Sequence, residues 1–287
     1  MLGVIGGSGI YNLPDLADVE TVEPKTPYGT PSGPVRVGRI GETRIAFIPR
    51  HGPGHRFSPT NLPYRANIYA LKELGVTHLL SISAVGSMKE SLPPRSLVLP
   101  DQIIDRTVDR PRTFFDRGIV AHVGLADPYC ALLRQQTARA AVAAGNHMNV
   151  GGTYICIEGP QFSTRAESNL YRSWGATVIG MTAMPEARLA REAELCYATL
   201  ALVTDYDVWH ETEEDVSVDV VLGHLRANSA AAAGLVRELA RLGMPERSCH
   251  CGDALAGAII TDPAVMTAAE RAEIAVLAGR HLERGDE

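Results

Sequence analysis

No stretch of this 287-residue chain reaches the roughly 18 consecutive apolar residues that suggest a membrane-spanning helix. Runs of like charge are also missing. Lysine and arginine occur singly or in pairs, and the formal net charge is −6. An acidic surface without basic clusters is a poor start for holding a nucleic-acid backbone. It leaves room for a small anionic ligand, which needs only a few well-placed donors. Neither an internal repeat nor a Pro/Gly/Ser-rich linker divides the chain, so one domain spanning residues 1–287 is expected. Residues 1–12, MLGVIGGSGIYN, have no basic n-region and only a short apolar run, so no secretory signal is expected. Cysteine is scarce. The odd count of five in a chain of this length points to a reducing, cytoplasmic setting.

What is present is an ordinary globular composition, 45% hydrophobic and 21% charged, which favours a packed core over disorder. Short apolar runs alternate with helical patterns. Leu2–Ile5 is a strand candidate ending in Gly6-Gly7-Ser8-Gly9. Val35–Ile40 and Arg44–Ile48 form a hairpin about Gly41-Glu42. Pro63–Leu74 is helical, with Ile68, Leu71 and Leu74 on one face. His78–Ile82 is a buried strand running into a Ser83-Ala84-Val85-Gly86 turn. Thr164-x-x-Glu167 is a capping box. Pro185–Cys196 is a helix, and Tyr197–Val203 is a strand ending at Thr204-Asp205. Val218–Leu242 is a long helix, and a last one runs from Asp262-Pro263 to about Leu282. The alternation predicts an α/β fold: a three-layer αβα sandwich around a mixed, mostly parallel sheet. In such sheets ligands sit outside the carboxyl ends of strands, so the polar turns there are the places to search.

Four groups stand out. Gly6-Gly7-Ser8-Gly9 offers backbone N–H groups and a hydroxyl to an anion, but its spacing fails as a dinucleotide fingerprint. Arg50 and His51 follow a strand, and an arginine fork suits phosphate oxygens. The bland alternative is a surface arginine beside a structural histidine. Asp205 and Asp207 follow an apolar strand directly. Alternation would point both carboxylates to one side, and their burial would be costly without partners. A Mg²⁺-type pair is the alternative, yet no further carboxylate motif completes one, and no metal is expected. Cys249-His250-Cys251 lacks the two-to-four-residue spacing and the second cysteine pair of a zinc site. Free thiols are expected, with a Cys249–Cys251 or a Cys130–Cys196 disulfide as the other possibilities.

Together these segments resemble the methylthioadenosine phosphorylase branch of the trimeric purine nucleoside phosphorylase family. The resemblance runs from Val4-Ile5-Gly6-Gly7-Ser8-Gly9 to about Leu222. Its dense parts include Pro49-Arg50-His51-Gly52, Glu158-Gly159-Pro160-Gln161-Phe162-Ser163, Met181-Thr182-Ala183-Met184-Pro185 and Thr204-Asp205-Tyr206-Asp207. It implies phosphate-dependent cleavage of 5′-methylthioadenosine, with inorganic phosphate as co-substrate and no metal or organic cofactor. Phosphate would be held by Ser8, Arg50, His51, Ser83, the Ala84 backbone and Thr182. Met181 would lie under the ribose and Phe162 against the base. Asp205 would be the acid and Asp207 the partner of the 6-amino group. Ser163 stands where 6-oxopurine enzymes carry a Glu nearby. Val218, Val221 and Leu222 would form the apolar 5′ pocket. His122 would reach a neighbouring subunit's site in a homotrimer or hexamer. The segment at about 254–284 would contribute to the site or to an interface. A phosphorylase of 6-oxopurine nucleosides or methylthioinosine, a hydrolytic nucleosidase and a non-catalytic nucleoside sensor stay open as alternatives.

Overall fold

The computed structural model describes residues 1–7, 15–211 and 216–282. Its strands are β1 (Leu2–Gly6), β2 (Ala17–Val22), β3 (Val35–Ile40), β4 (Thr43–Pro49), β5 (His78–Ser87), β6 (Leu97–Leu99), β7 (Gln102–Arg106), β8 (Met148–Val150), β9 (Thr153–Ile157), β10 (Ala176–Gly180) and β11 (Cys196–Asp205). Its helices are α1 (Tyr64–Glu73), α2 (Ala131–Ala143), α3 (Arg165–Ser173), α4 (Ala183–Glu192), α5 (Val218–Leu242) and α6 (Ala268–Leu282). All the strands join one sheet. Its pairings are mixed and mostly parallel: β1 runs parallel to β4 and β5, β11 to β5, β9 to β10 and β7, and β6 to β8.

The period of two along the central strands builds two cores. On β5, Leu79 faces one core and Leu80 the other, as Ile5 and Val4 do on β1. Along β11, Tyr197, Ala201 and Val203 face the core covered by α1, α4 and α6. Ala198, Leu200 and Leu202 face the core covered by α2 and α5. Both faces of these strands are therefore buried, which is why they read as continuous apolar runs. The result is the expected three-layer αβα sandwich.

Two elements depart from expectation. The turn placed at Ser83-Ala84-Val85-Gly86 is not a turn. Strand β5 continues to Ser87, because β11 pairs with it through Gly86 and β10 pairs with Gly86 and Ser87. The helix expected over Pro185–Cys196 ends at Glu192, and Glu194 adopts a left-handed φ of 56°. Cys196 then opens β11, with its backbone N–H bonded to the Thr77 carbonyl. The final segment also begins later than expected. Asp262 caps a short 3₁₀ turn over Pro263–Val265, and the Thr267–Glu270 pair caps α6.

The pairing of β5 opens the space for a site. On the edge away from β11, β1 pairs with residues only as far as Ser81, and β10 joins only at Gly86. Residues 82–85 face the gap between them. The Ile82 carbonyl points to this edge, where it accepts from Arg50. Strand alternation sends the Ala84 N–H to the same edge.

Candidate active site

A cavity of about 600 Å³ lies over this gap, at the carboxyl ends of β1, β4 and β11. Arg50, His51, Ser83, Ala84 and Thr182 line it. Phe162, Met181 and the buried Asp205 and Asp207 also line it, as do Val218, Val221 and Leu222 from the first turns of α5. Ser8 lies outside the described residues. Its neighbour Gly7 lines the cavity.

Arg50 follows β4 and is held beside β1 by its own N–H, which donates to the Gly6 carbonyl at 3.0 Å. Its side chain is almost wholly buried. Nε and Nη2 donate to the two oxygens of Glu186 at 3.0 and 3.1 Å. Nη2 also meets Ser81 Oγ at 2.7 Å and the Ile5 carbonyl at 3.3 Å, while Nη1 donates to the Ile82 carbonyl at 2.7 Å. The fork expected to meet an anion is thus turned onto Glu186. These contacts use only one N–H of Nη1, and Arg50 lines the cavity. Burial works against the charge of Arg50, but the attraction and hydrogen bonds of Glu186 more than offset it and raise its pKa.

His51 Nδ1 lies 2.9 Å from the Phe57 carbonyl. A carbonyl only accepts, so Nδ1 carries the proton and the neutral ring presents Nε2 as an acceptor. Burial lowers the His51 pKa to about 4, opposed by the Phe57 bond and assisted by the nearby Arg50 and His55, whose ring stacks on His51 at 4.1 Å. A neutral His51 therefore offers an acceptor at Nε2 and no second N–H. Ser83 Oγ lies 3.2 Å from Thr182 Oγ1 and 3.3 Å from the Tyr154 hydroxyl, which gathers three hydroxyls at one point.

The two aspartates come together for a reason other than strand alternation. A register shift between Val203 and Asp205 bulges β11 against β5, and a bulge re-aims the side chains that follow it. Asp207 then adopts a left-handed φ of 56°, and its N–H donates to Asp205 Oδ1 at 2.8 Å. Thr204 Oγ1 donates to the other oxygen at 2.7 Å. Asp205 and Asp207 are each only 4% exposed. Gly86 makes this possible, because a Cβ there would lie 2.8 Å from Asp205 Oδ1 and 3.3 Å from Asp207 Cβ. Burial pushes the Asp205 carboxyl above its ordinary range, against the hydrogen bonds from Thr204 and Asp207 and the charge of His224.

Sequence reasoning missed Arg110. Its side chain is fully buried and donates to the carbonyls of Met181 at 2.7 Å, Met184 at 2.6 Å and Glu158 at 2.6 Å, and to the Tyr64 hydroxyl. It thereby ties the loop after β9, which carries Phe162, to the segment carrying Met181 and Thr182. Nothing local in Val108-Asp109-Arg110-Pro111 signals this, since all of these partners are distant in sequence. Gly159, at φ 67°, lets Met181 approach, because a Cβ there would lie 2.5 Å from its sulfur.

Other expected residues sit apart. Ser163 is buried, its Oγ has no hydrogen-bond partner among the described residues, and it is not in the cavity lining. His122 is exposed and also outside the lining; its N–H bonds to the Ala258 carbonyl. Helix α6 packs Ile274 and Leu277 into the core beside α1 and contributes no lining residue. Phe162 and Leu222 are 41% and 54% exposed, so the mouth of the cavity is open in the single chain.

A family model for the phosphorylase superfamily matches residues 1–241. The chain belongs to the phosphorylase superfamily. Among curated members, the S-methyl-5'-thioadenosine phosphorylase of Geobacter sulfurreducens is 51% identical over 283 residues, covering 98% of this chain and 99% of that one. The protein of the same name from Koribacter versatilis is 50% identical over 281 residues, covering 98% and 96%. Among solved superfamily structures, a methylthioadenosine phosphorylase from an antarctic soil metagenomic library has a TM-score of 0.91 and 46% identity, covering 96% and 98% of the two chains. The methylthioadenosine phosphorylase of Schistosoma mansoni, in complex with adenine, has a TM-score of 0.85 at 34% identity, covering 90% and 98%. The phosphorylase fold thus extends over nearly the whole chain. No helix among the described residues is long and apolar enough to cross a membrane.

Proposed function

We propose that this chain cleaves 5′-methylthioadenosine with inorganic phosphate, giving adenine and 5-methylthioribose 1-phosphate. The observation that carries this reading is the buried pair Asp205 and Asp207 in the same cavity as Arg50 and the Ser83–Thr182 hydroxyls. A purine leaving group needs a proton at one end of such a site, and an oxyanion nucleophile needs donors at the other. Relatives about half identical in sequence carry the corresponding name.

In this mechanism the glycosidic bond lengthens first and the ribose takes on oxocarbenium character. Electron density flows into the base, and Asp205 gives its proton to N7. Its burial favours the protonated form that the step requires. Asp207 accepts a hydrogen bond from the 6-amino group. A 6-oxo group facing that carboxylate would lack a donor, which penalises it. Phosphate attacks C1′ from the opposite face. Thr182, Ser83, the Ala84 N–H and the remaining Nη1 N–H of Arg50 donate to its oxygens, with Ser8 assigned to the same group. His51 Nε2 accepts the phosphate's own hydroxyl, which fixes the orientation of the dianion. Met181 lies under the ribose, and Phe162 borders the base. Val218, Val221 and Leu222 supply an apolar surface for the methylthio group. No metal or organic cofactor takes part in the reaction.

The open mouth beside Phe162 and Leu222 supports a homotrimer or hexamer in which a neighbour closes the site, and the exposed His122 is assigned to that role. We place the enzyme in the cytoplasm. The test is adenine release from methylthioadenosine with and without phosphate. Release that requires phosphate and yields a sugar phosphate supports the proposal; release at the same rate in phosphate-free buffer refutes it.

A further inference from the structure

Four of the five cysteines, which the sequence scatters over three segments, meet at one point. Cys130 is the N-cap of α2, Cys196 begins β11, and Cys249 and Cys251 flank the start of a 3₁₀ turn. Their sulfur atoms all lie within 4.8 Å of one another. Cys249 Sγ is 3.4 Å from Cys196 Sγ and 3.7 Å from Cys130 Sγ. The cluster sits at the far end of β11 from Asp205, roughly 30 Å away at the usual rise per strand residue. It is therefore outside the phosphorolytic site.

We propose that Cys130, Cys196, Cys249 and Cys251 form a structural zinc site with four thiolate ligands. In a tetrahedral site with Zn–S bonds of about 2.3 Å the sulfurs are spaced about 3.8 Å apart, close to the separations here. Cys249 is near two different partners, so no single pairing uses the sulfurs as fully as one central ion does. Soft thiolates select zinc over the hard cations that prefer oxygen. The surroundings suit a negatively charged cluster. The Leu133 N–H points to Cys130 Sγ at 3.5 Å, at the N-terminus of a thirteen-residue helix. Arg191 Nη1 lies 3.6 Å from Cys251 Sγ and brings a positive charge. Such outer contacts orient and stabilise metal-bound thiolates. Three of the cysteines are buried, while half-buried Cys249 lines an open surface recess with Ala131, Arg134 and Gln135. That recess is the entry path. On binding, each thiol releases its proton to solvent and a Zn–S bond takes its place; nothing is oxidised or reduced.

The site ties β11 and α2 to the segment leading toward α6. The chain-wise spacing that argues against zinc at Cys249-His250-Cys251 misleads here, because two ligands come from elsewhere in the fold. The test uses the full chain, reduced, offered excess zinc and then desalted. Elemental analysis is expected to give one zinc per chain. Cobalt(II) alone should give the thiolate-to-metal charge-transfer and d–d bands of a tetrahedral tetrathiolate. Cys249→Ser, at the least buried ligand, should weaken metal retention tenfold or more, whereas Cys156→Ser should keep it. Absence of zinc from the reduced wild-type chain, a cobalt spectrum without thiolate bands, or recovery of these cysteines as disulfides after purification without reductant would each overturn the proposal. The cobalt titration needs no variant and so decides the matter even if Cys249→Ser fails to fold.

Discussion

Glu186 grips Arg50 at two points, with Oε2 3.0 Å from Nε and Oε1 3.1 Å from Nη2, and both side chains are almost fully buried. The Tyr197 hydroxyl donates to the same carboxylate at 2.9 Å. The pair fixes the guanidinium beneath the β5 gap and leaves little of it free.

Glu186→Gln therefore removes a charge partner without changing the shape much. Breaking one side of a buried pair costs about 3–5 kcal/mol. Denaturant unfolding should show a loss of that size. The phosphate KM should rise tenfold or more, because Arg50 is no longer held at its place. A variant as stable as wild type with an unchanged phosphate KM would show that the pair does not organise the site.

Asp205→Asn keeps the size of the side chain and removes its proton. The expected loss in kcat is about 10²–10⁴, the usual worth of a general acid, with circular dichroism and melting temperature little changed. Asp207→Asn should act chiefly on discrimination between amino- and oxo-purines. Steady-state kinetics on both variants measures this directly.

Gly86→Ala tests the same aspartates from behind. The added methyl would lie 2.8 Å from Asp205 Oδ1 and 2.9 Å from Ile179 Cγ2, and only a shift of these groups relieves it. Turnover should fall at least tenfold, with a modest cost to stability of about 1–3 kcal/mol for overpacking. Normal kinetics would mean that the carboxylate position is not critical.

Much of the fold is legible in the sequence because both cores rest on local patterns. The continuous apolar runs of β1, β5 and β11, the Thr164–Glu167 capping box and the long α5 pattern all announce themselves within a few residues. The cavity-lining residues Arg50, His51, Thr182, Asp205 and Asp207 were also recoverable, because the motifs around them are contiguous. What escaped depends on distant partners. The continuation of β5 past Ser83 is dictated by β10 and β11. Glu186 and Arg110 look like ordinary charged residues until the fold surrounds them. The donor state of His51 depends on the Phe57 carbonyl. The cysteine cluster joins residues as far apart as Cys130 and Cys251.

A buried carboxyl away from the cavity gives a pH signature. Burial pushes Glu192 up from 4.5 to about 7, against hydrogen bonds from Thr113 and the Phe114 N–H. The folded state thus holds this proton more tightly than the unfolded chain. The resulting stability is full below the unfolded pKa and is lost as pH rises through the folded one. Its size is roughly 3 kcal/mol at most. Relative to Glu192→Gln, wild type should lose stability between about pH 4.5 and 7 and change little above that. Melting temperatures of the two proteins across this range check it; a constant difference would place the Glu192 pKa near its ordinary value.

The most direct test of the account compares base release from methylthioadenosine and methylthioinosine at saturating phosphate. The buried Asp207 carboxylate should favour the 6-amino substrate in kcat/KM by about two orders of magnitude or more, as expected when a 6-oxo group leaves buried polar atoms unpaired. Equal or faster phosphorolysis of methylthioinosine would contradict it.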